Sequence, residues 1–280
     1  KKNNNREKII LASKVAGRSG MDWFRGGETR LDKKNIESAI EGSLTRLQTD
    51  YIDLYQLHWP DRPLPIFGGG AGLYKHYDIE SVEISETLEV LKSWVDSGKV
   101  RYIGLSEAGP ETIGKAHAIH PLVCIETEYS LWSRDVEEYI LPLCRKLGIS
   151  LMPYAPLGRG ILSGSIRSTA DLVPGDTRTA MPRFSGENFN VNLAKVQGLE
   201  EVAFAKGFKA AQVALAWVLQ QDDAIVPIPG TKQIKYLNEN IRAVDIDLTL
   251  DDSQKLDLLF AVGTTAGPRY PEELMKQLGV

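Results

Sequence analysis

The sequence predicts an α/β protein, a parallel sheet with helices packed outside it, better suited to a barrel than to an open doubly wound sheet. Three observations predict this. Short apolar runs alternate six times with amphipathic segments along 280 residues, and crossovers of helix length join parallel strands. Polar and ionisable residues stand where those runs end, at the carboxyl mouth where parallel α/β proteins build their sites. No G-x-G-x-x-G follows the first run, so the signature of a dinucleotide fold with an open sheet is missing.

The elements follow in order. Residues 8–15 form the first expected strand, Ile9-Ile10-Leu11-Ala12-Ser13-Lys14 ending in an amine. The Gly-rich stretch from Ala16 to Leu31 holds Trp23 and Phe24, which suit a pocket cover or simple packing. Asp32 is placed to cap a helix whose Ile36, Ile40, Leu44 and Leu47 share one face. The second strand is Asp53-Leu54-Tyr55-Gln56-Leu57-His58-Trp59-Pro60. Pro60 has no N–H for a sheet ladder, so the strand stops there and leaves an imidazole and an indole at its mouth. After a long loop containing Gly68-Gly69-Gly70, a helix carries Ile84, Leu88, Leu91 and Val95 and ends at Gly98.

Shorter connections follow. Val100 to Leu105 is a strand that stops at Ser106-Glu107, and Pro110 opens the next helix. Leu122 to Ile125 begins a strand leading to Glu126. A helix is expected from about Ser133 to Gly148, and Ile149 to Leu157 is a strand interrupted by Pro153. A 30-residue loop precedes two helices, about 190–206 and 209–220. Ala224 to Ile228 is the last expected strand, Lys232 to Ala243 its helix, and Leu250 to Phe260 a final amphipathic helix. Six strands cannot close a barrel that needs eight.

Composition narrows the function. Net charge is −4, with 33 basic and 37 acidic residues spread along the chain, and no basic face suited to nucleic acid stands out. No apolar run reaches membrane length and Lys1-Lys2-Asn3-Asn4-Asn5 is not a signal peptide, so a cytoplasmic globule is expected. Cys124 and Cys144 read as two buried thiols in a reducing compartment.

Lys14, His58, Ser106, Glu107, Glu126, Tyr154, Gly230 and Thr231 all fall at strand ends. A strand-end lysine near a strand-end histidine is a poor structural choice and a good chemical one. Lysine and histidine without a cluster of ligand spacing argue against a metal site. Ser163 lacks a strand-to-helix elbow, which argues against a hydrolase. The glycines of Leu157-Gly158-Arg159-Gly160 suit close approach of backbone to a pyrophosphate. Pro229-Gly230-Thr231-Lys232 leads into a helix N-terminus, either an anion site with a cation beside it or an ordinary turn with a solvated lysine.

These motifs carry a resemblance. Asp53 to Pro60, Arg101-Tyr102-Ile103-Gly104-Leu105-Ser106, Tyr154-Ala155-Pro156-Leu157-Gly158-Arg159-Gly160, and Pro227 to Lys232 running on to Glu239-Asn240 resemble the aldo-keto reductases, in family order and over the whole chain. The first half is similar to bacterial NADP(H)-dependent members. From Glu126 onward the chain is similar to members of the auxin-induced and perakine-reductase type. The resemblance implies a (β/α)8 barrel, a single domain over 1–280, that reduces aldehydes and ketones with NADPH. It implies that Lys14 tunes a catalytic tyrosine, that His58 orients the carbonyl oxygen, and that Trp59 lines the substrate pocket, with Trp23 on the neighbouring loop. Ser106, Glu107 and Glu126 would take the carboxamide, although the family more often has Asn and Gln at the two glutamates. Tyr154 would stack on the nicotinamide and Pro156 to Gly160 would cradle the pyrophosphate. Gly230, Thr231, Lys232 and Tyr236 would take the 2′-phosphate and ribose, and Glu239 and Asn240 the adenine.

The family's proton donor is a tyrosine in an Asp-x-x-x-x-Tyr arrangement on the second strand, and no such pair stands among the 13 residues before Lys14. Tyr51 and Tyr55 sit too low on their strand to substitute. The first two βα units, about 40–60 residues, are therefore expected upstream of the chain as written. The partner expected is a small carbonyl compound, with no nucleic acid or membrane and with homo-oligomerisation open. Two other readings stay open: an NADPH-binding regulatory subunit, and a barrel fragment without chemistry.

Overall fold

A computed structural model describes residues 5–18, 25, 29–62, 80–275 and 278. Two compact units form: Lys1–Glu126 with Lys146–Ile149 and Gln277–Val280, and Thr127–Arg145 with Ser150–Lys276. Trp23 and the loop around Gly68-Gly69-Gly70 lie outside the described residues.

The first unit carries strands β1 (Ala12–Val15), β2 (Ile52–Leu57), β3 (Val100–Ser106) and the start of β4 (Leu122–Glu128), each parallel to its neighbour in chain order. Helices α1 (Lys33–Leu47), α2 (Ile84–Asp96) and α3 (Pro110–Ile119) make the crossovers. Every residue of β2 is buried, as a central parallel strand covered on both faces must be. Asp32 caps α1 as its spacing predicts, accepting the Asn35 N–H at 2.9 Å, and Ile36, Ala39, Ile40 and Leu44 fill the inner face. Gly98, with φ +74°, takes the left-handed turn that ends α2.

At the amino end of β2, Asp53 fastens the unit together. Burial pulls its carboxyl pKa up, but the Leu11 N–H, Arg6 and Arg101 outweigh that and hold it below the usual range. The Tyr51 ring lies between the same two guanidiniums, 3.9 and 4.0 Å from its centre.

Two strand expectations need correction. The first strand starts at Ala12, not residue 8, because Arg6–Lys8 form a short helical turn and Ile10 is 83% exposed. In the second unit, residues 224–228 make no strand but a single parallel bridge, Leu151 to Ile225. Val226 N–H and Ile228 N–H donate to Leu151 O and Pro153 O at 2.9 and 3.0 Å. Pro153 has no N–H to donate in return, so the ladder breaks after one rung. Five strands rather than six stand among the described residues.

The second unit also holds β5 (Ser150–Tyr154) and most of α4 (Ile140–Leu147), followed by α5 (Gly186–Ala205), α6 (Ala210–Leu219), α7 (Ile234–Ile241), α8 (Leu250–Leu259) and α9 (Glu272–Met275). Helix α4 begins later than expected because Ser133 is committed elsewhere: it bridges to Ser130 and donates its hydroxyl to Glu128 at 2.7 Å. The 30-residue loop contains four short helical turns between Gly158 and Phe184. Helix α7 begins at Ile234, two residues after Lys232.

Candidate active site

In the first unit the sheet register assembles the site. Lys14 is level with Gln56, Gln56 with Gly104, and Gly104 with Cys124. Side chains on a strand alternate, so the next row on the same face, nearer the mouth, holds Ala16, His58, Ser106 and Glu126. Ser106 and Glu126 are themselves level. The Lys14 ammonium reaches into this second row and forms an ion pair and hydrogen bond with the Glu126 carboxylate. Below it the row is dense. A Cβ on Gly104 would stand 2.6 Å from Cys124 Sγ and 3.0 Å from Gln56 Cγ, and Gln56 donates to Cys124 Sγ at 3.6 Å.

His58 prolongs β2 by one backbone bond, donating to Val15 O at 2.8 Å. Burial first, and then the Lys14 charge, push its imidazole from the ordinary 6.5 down to about 4. A neutral ring at pH 7 follows. Trp59 is buried against it with ring centres 4.2 Å apart, and Gly17 leaves the indole its place, since a Cβ there would lie 2.8 Å from Trp59 Nε1. Glu107 takes a left-handed turn, φ +49°. Its N–H donates to Glu126 O at 3.0 Å and its carbonyl accepts from Arg62 Nη2 at 2.6 Å. Arg62 carries no family assignment in the sequence, yet it braces the end of β3.

Tyr55 is out of phase with Gln56, so its side chain faces away from this row. It is fully buried, and burial pushes its phenol up to about 12. It is no proton donor for the mouth.

In the second unit, Tyr154 ends β5 and the chain turns through Ala155, Gly158, Arg159 and Gly160 with φ of +47°, +56°, +56° and +98°. Ala155 and Arg159 have a Cβ, and each costs about 1–2 kcal/mol in that region. The turns close on themselves: Gly158 N–H donates to Ala155 O at 2.8 Å and Gly160 N–H to Leu157 O at 2.9 Å. Gly158 could bear no side chain, because a Cβ would meet Trp132 Nε1 at 2.7 Å. Arg159 Nη2 donates to Glu128 Oε2 at 2.9 Å and to Tyr270 OH at 2.6 Å, and Tyr270 OH lies 3.2 Å from Tyr154 OH. Burial lowers the Arg159 pKa, but Glu128 and the two phenols more than offset this and raise it. The guanidinium stays charged beside the loop.

Glu128, Trp132, Arg178 and Tyr270 are members of this site that sequence reasoning missed. Arg178 Nη1 donates to Arg159 O at 2.8 Å. Glu128 alone gave a signal, being two residues past Glu126 on an alternating strand.

The residues assigned to the adenine end are differently engaged. Gly230, Thr231, Lys232 and Tyr236 are exposed, and Thr231 Oγ1 accepts the Gln233 N–H at 3.1 Å ahead of α7. Glu239 is ion-paired with Lys209 and its carbonyl accepts from Gln212 Nε2. Asn240 follows it on α7. Among the described residues no group of three His, Cys, Asp or Glu could hold a metal ion.

The family profile of the aldo/keto reductases matches residues 1–260. A "Probable aldo-keto reductase 1" of Glycine max is 42% identical over 268 residues, 95% of this chain and 70% of that protein. Two solved structures are similar. The thermostable aldo-keto reductase Tm1743, crystallised with the inhibitor epalrestat, superposes with a TM-score of 0.66 at 28% identity, over 92% of this chain and 74% of its own. The glycerol dehydrogenase AKR11B4 of Gluconobacter oxydans gives 0.72 at 26% identity, over 87% and 68%.

Proposed function

The chain belongs to the aldo/keto reductase family, and from that premise we propose that it reduces aldehydes and ketones to alcohols with NADPH as hydride donor. The fold of the family, the (β/α)8 barrel, and its oxidoreductase chemistry on carbonyl groups come with membership. The preference for NADPH over NADH is our own reading, as are the residue roles.

The observation that carries the reading is the placement of His58 and Ser106 in one row at the strand mouth that the Lys14 ammonium reaches; burial and the Lys14 charge lower the His58 pKa and keep its ring neutral at pH 7. When bound, the nicotinamide supplies hydride to the carbonyl carbon. Negative charge then grows on the carbonyl oxygen, and a preorganised donor lowers the barrier to that charge. A neutral imidazole has one N–H to give and no charge to desolvate. His58 fills that role; the proton that completes the alcohol would come from the family's catalytic tyrosine, which Lys14 is assigned to tune. Trp59 presents an apolar wall to the carbonyl compound, with Trp23 assigned to the same pocket.

Each unit carries residues of the kinds the cofactor calls for. Ser106 can donate to a carboxamide, and Glu107 stands beside it. The turn from Pro156 through Leu157 to Gly160, with no Cβ on Gly158 or Gly160 to hold off a ligand, is assigned to the pyrophosphate. Tyr154 is the stacking face. Gly230, Thr231 and Lys232 are assigned to the 2′-phosphate, with Tyr236 at the ribose and Glu239 and Asn240 at the adenine. Free thiols at Cys124 and Cys144 support the cytoplasm as location.

Titrating NADPH and NADH by quenching of tryptophan fluorescence tests the cofactor. NADPH should bind more tightly by about 1–3 kcal/mol, the range of a charge-assisted contact, and Lys232→Ala should abolish the difference. Equal affinities in the unmodified chain would reject the assignment. Loss of absorbance at the reduced nicotinamide band on adding an aldehyde tests turnover.

A further inference from the structure

We propose that Glu126 is the counter-ion that positions the Lys14 ammonium, and not a reader of the cofactor's carboxamide. The inference rests on the reading of Lys14 as a working group of the reductase. Three observations carry it.

The first is contact. Glu126 Oε1 is bound directly to Lys14 Nζ, across the two strands that separate β1 from β4. The second is burial. The Glu126 side chain is 5% exposed, and a carboxylate so enclosed is tolerated as a charge only with a partner of opposite sign. The third is donor chemistry. An ionised carboxylate accepts hydrogen bonds and cannot donate to an amide oxygen. Glutamate in place of the family's commoner glutamine therefore gives up half of the amide contact and gains an ion pair.

The register explains why Lys14 needs such a partner. Its Cα lies one row below Ser106 and Glu126, level with the closely packed Gln56, Gly104 and Cys124. Only by extending past that row does its ammonium enter the layer of His58, and a long flexible stem holds that position when its end is tethered. Glu126 is the tether, a positioning residue that acts through Lys14.

A double-mutant cycle tests it on the full chain, using Lys14→Met, Glu126→Gln and the pair together. In the absence of cofactor, Lys14→Met strands a buried carboxylate, and its unfolding midpoint should fall by several degrees. Adding Glu126→Gln should restore most of that loss, and if Lys14→Met alone does not fold, the double variant should. Glu126→Gln alone should change NADPH affinity by less than about threefold while lowering kcat at saturating NADPH about tenfold, with Glu126→Asp recovering part of it. A double variant no more stable than Lys14→Met would overturn the proposal. So would a threefold or greater loss of NADPH affinity in Glu126→Gln, or a kcat at the parental level. Should the unmodified chain fail to bind NADPH, the reductase reading fails, while the stability cycle still decides whether Glu126 and Lys14 are coupled.

Discussion

Acidification tests the charge state on which the role of His58 depends. In the folded protein its imidazole is held at about 4 against the ordinary 6.5, a bias against the imidazolium of about 3 kcal/mol at 1.36 kcal/mol per tenfold change in proton affinity. Burial is the larger cause and the Lys14 charge the second. The sign follows from linkage. The unfolded chain takes up this proton more readily, so the stability contribution is complete above pH 6.5 and is lost progressively as pH falls to about 4. Ring-proton NMR on histidine-labelled protein reads the titration directly. Four histidines are present, and His58 is identified by the signal missing in His58→Gln. The expected midpoint is about 4. In Lys14→Met it should rise while staying below 6.5, because burial persists. A His58 midpoint at the ordinary 6.5, or one indifferent to Lys14→Met, would refute the reasoning and remove the neutral donor from the mechanism.

Further expectations follow from the same geometry. Gly158→Ala combines a left-handed φ with a 2.7 Å approach to Trp132, and should cost about 2–4 kcal/mol from strain and overpacking by chemical denaturation. Gly230→Ala meets nothing within 4 Å and should unfold at the parental midpoint. Gly104→Val forces a side chain onto Cys124 and Gln56 and should destabilise by about 1–3 kcal/mol or more, again read by denaturation. Cys144, pushed up to about 12 by burial and then by Asp222, should resist alkylation at pH 8 in the native protein and react once unfolded; equal rates in both states would contradict the packing around α4.

Much of the architecture was legible because it depends on local chemistry. The alternation of strand and helix, the Asp32 cap, Gly98 and Gly148 at helix ends and Pro110 at a helix start are set by residues within a few positions of each other. The candidate site was legible where strand ends announce it, at Lys14 and His58 and at the glycines of the loop after Tyr154. The fragment 224–228 misled because its apolar, branched composition reads as a strand. What broke the ladder was a missing N–H on Pro153, some 70 residues earlier in the chain. Helix α7 forms where it was expected, within Lys232 to Ala243, but its apolar face is left open. Its Ile234, Leu237 and Ile241 have the spacing of a buried face, yet they are 78, 48 and 58% exposed.

By itself the sequence determined which side chains could do chemistry and at which strand ends they stand, because period and punctuation are properties of neighbouring residues. Tertiary structure decided how those side chains are used. Lys14 meets Glu126 112 residues away, and Arg159 meets Glu128 and Tyr270 at separations of 31 and 111. Those partnerships set where each charged end is held. They depend on sheet register and burial, and an ion's desolvation cost is fixed only when the chain closes around it.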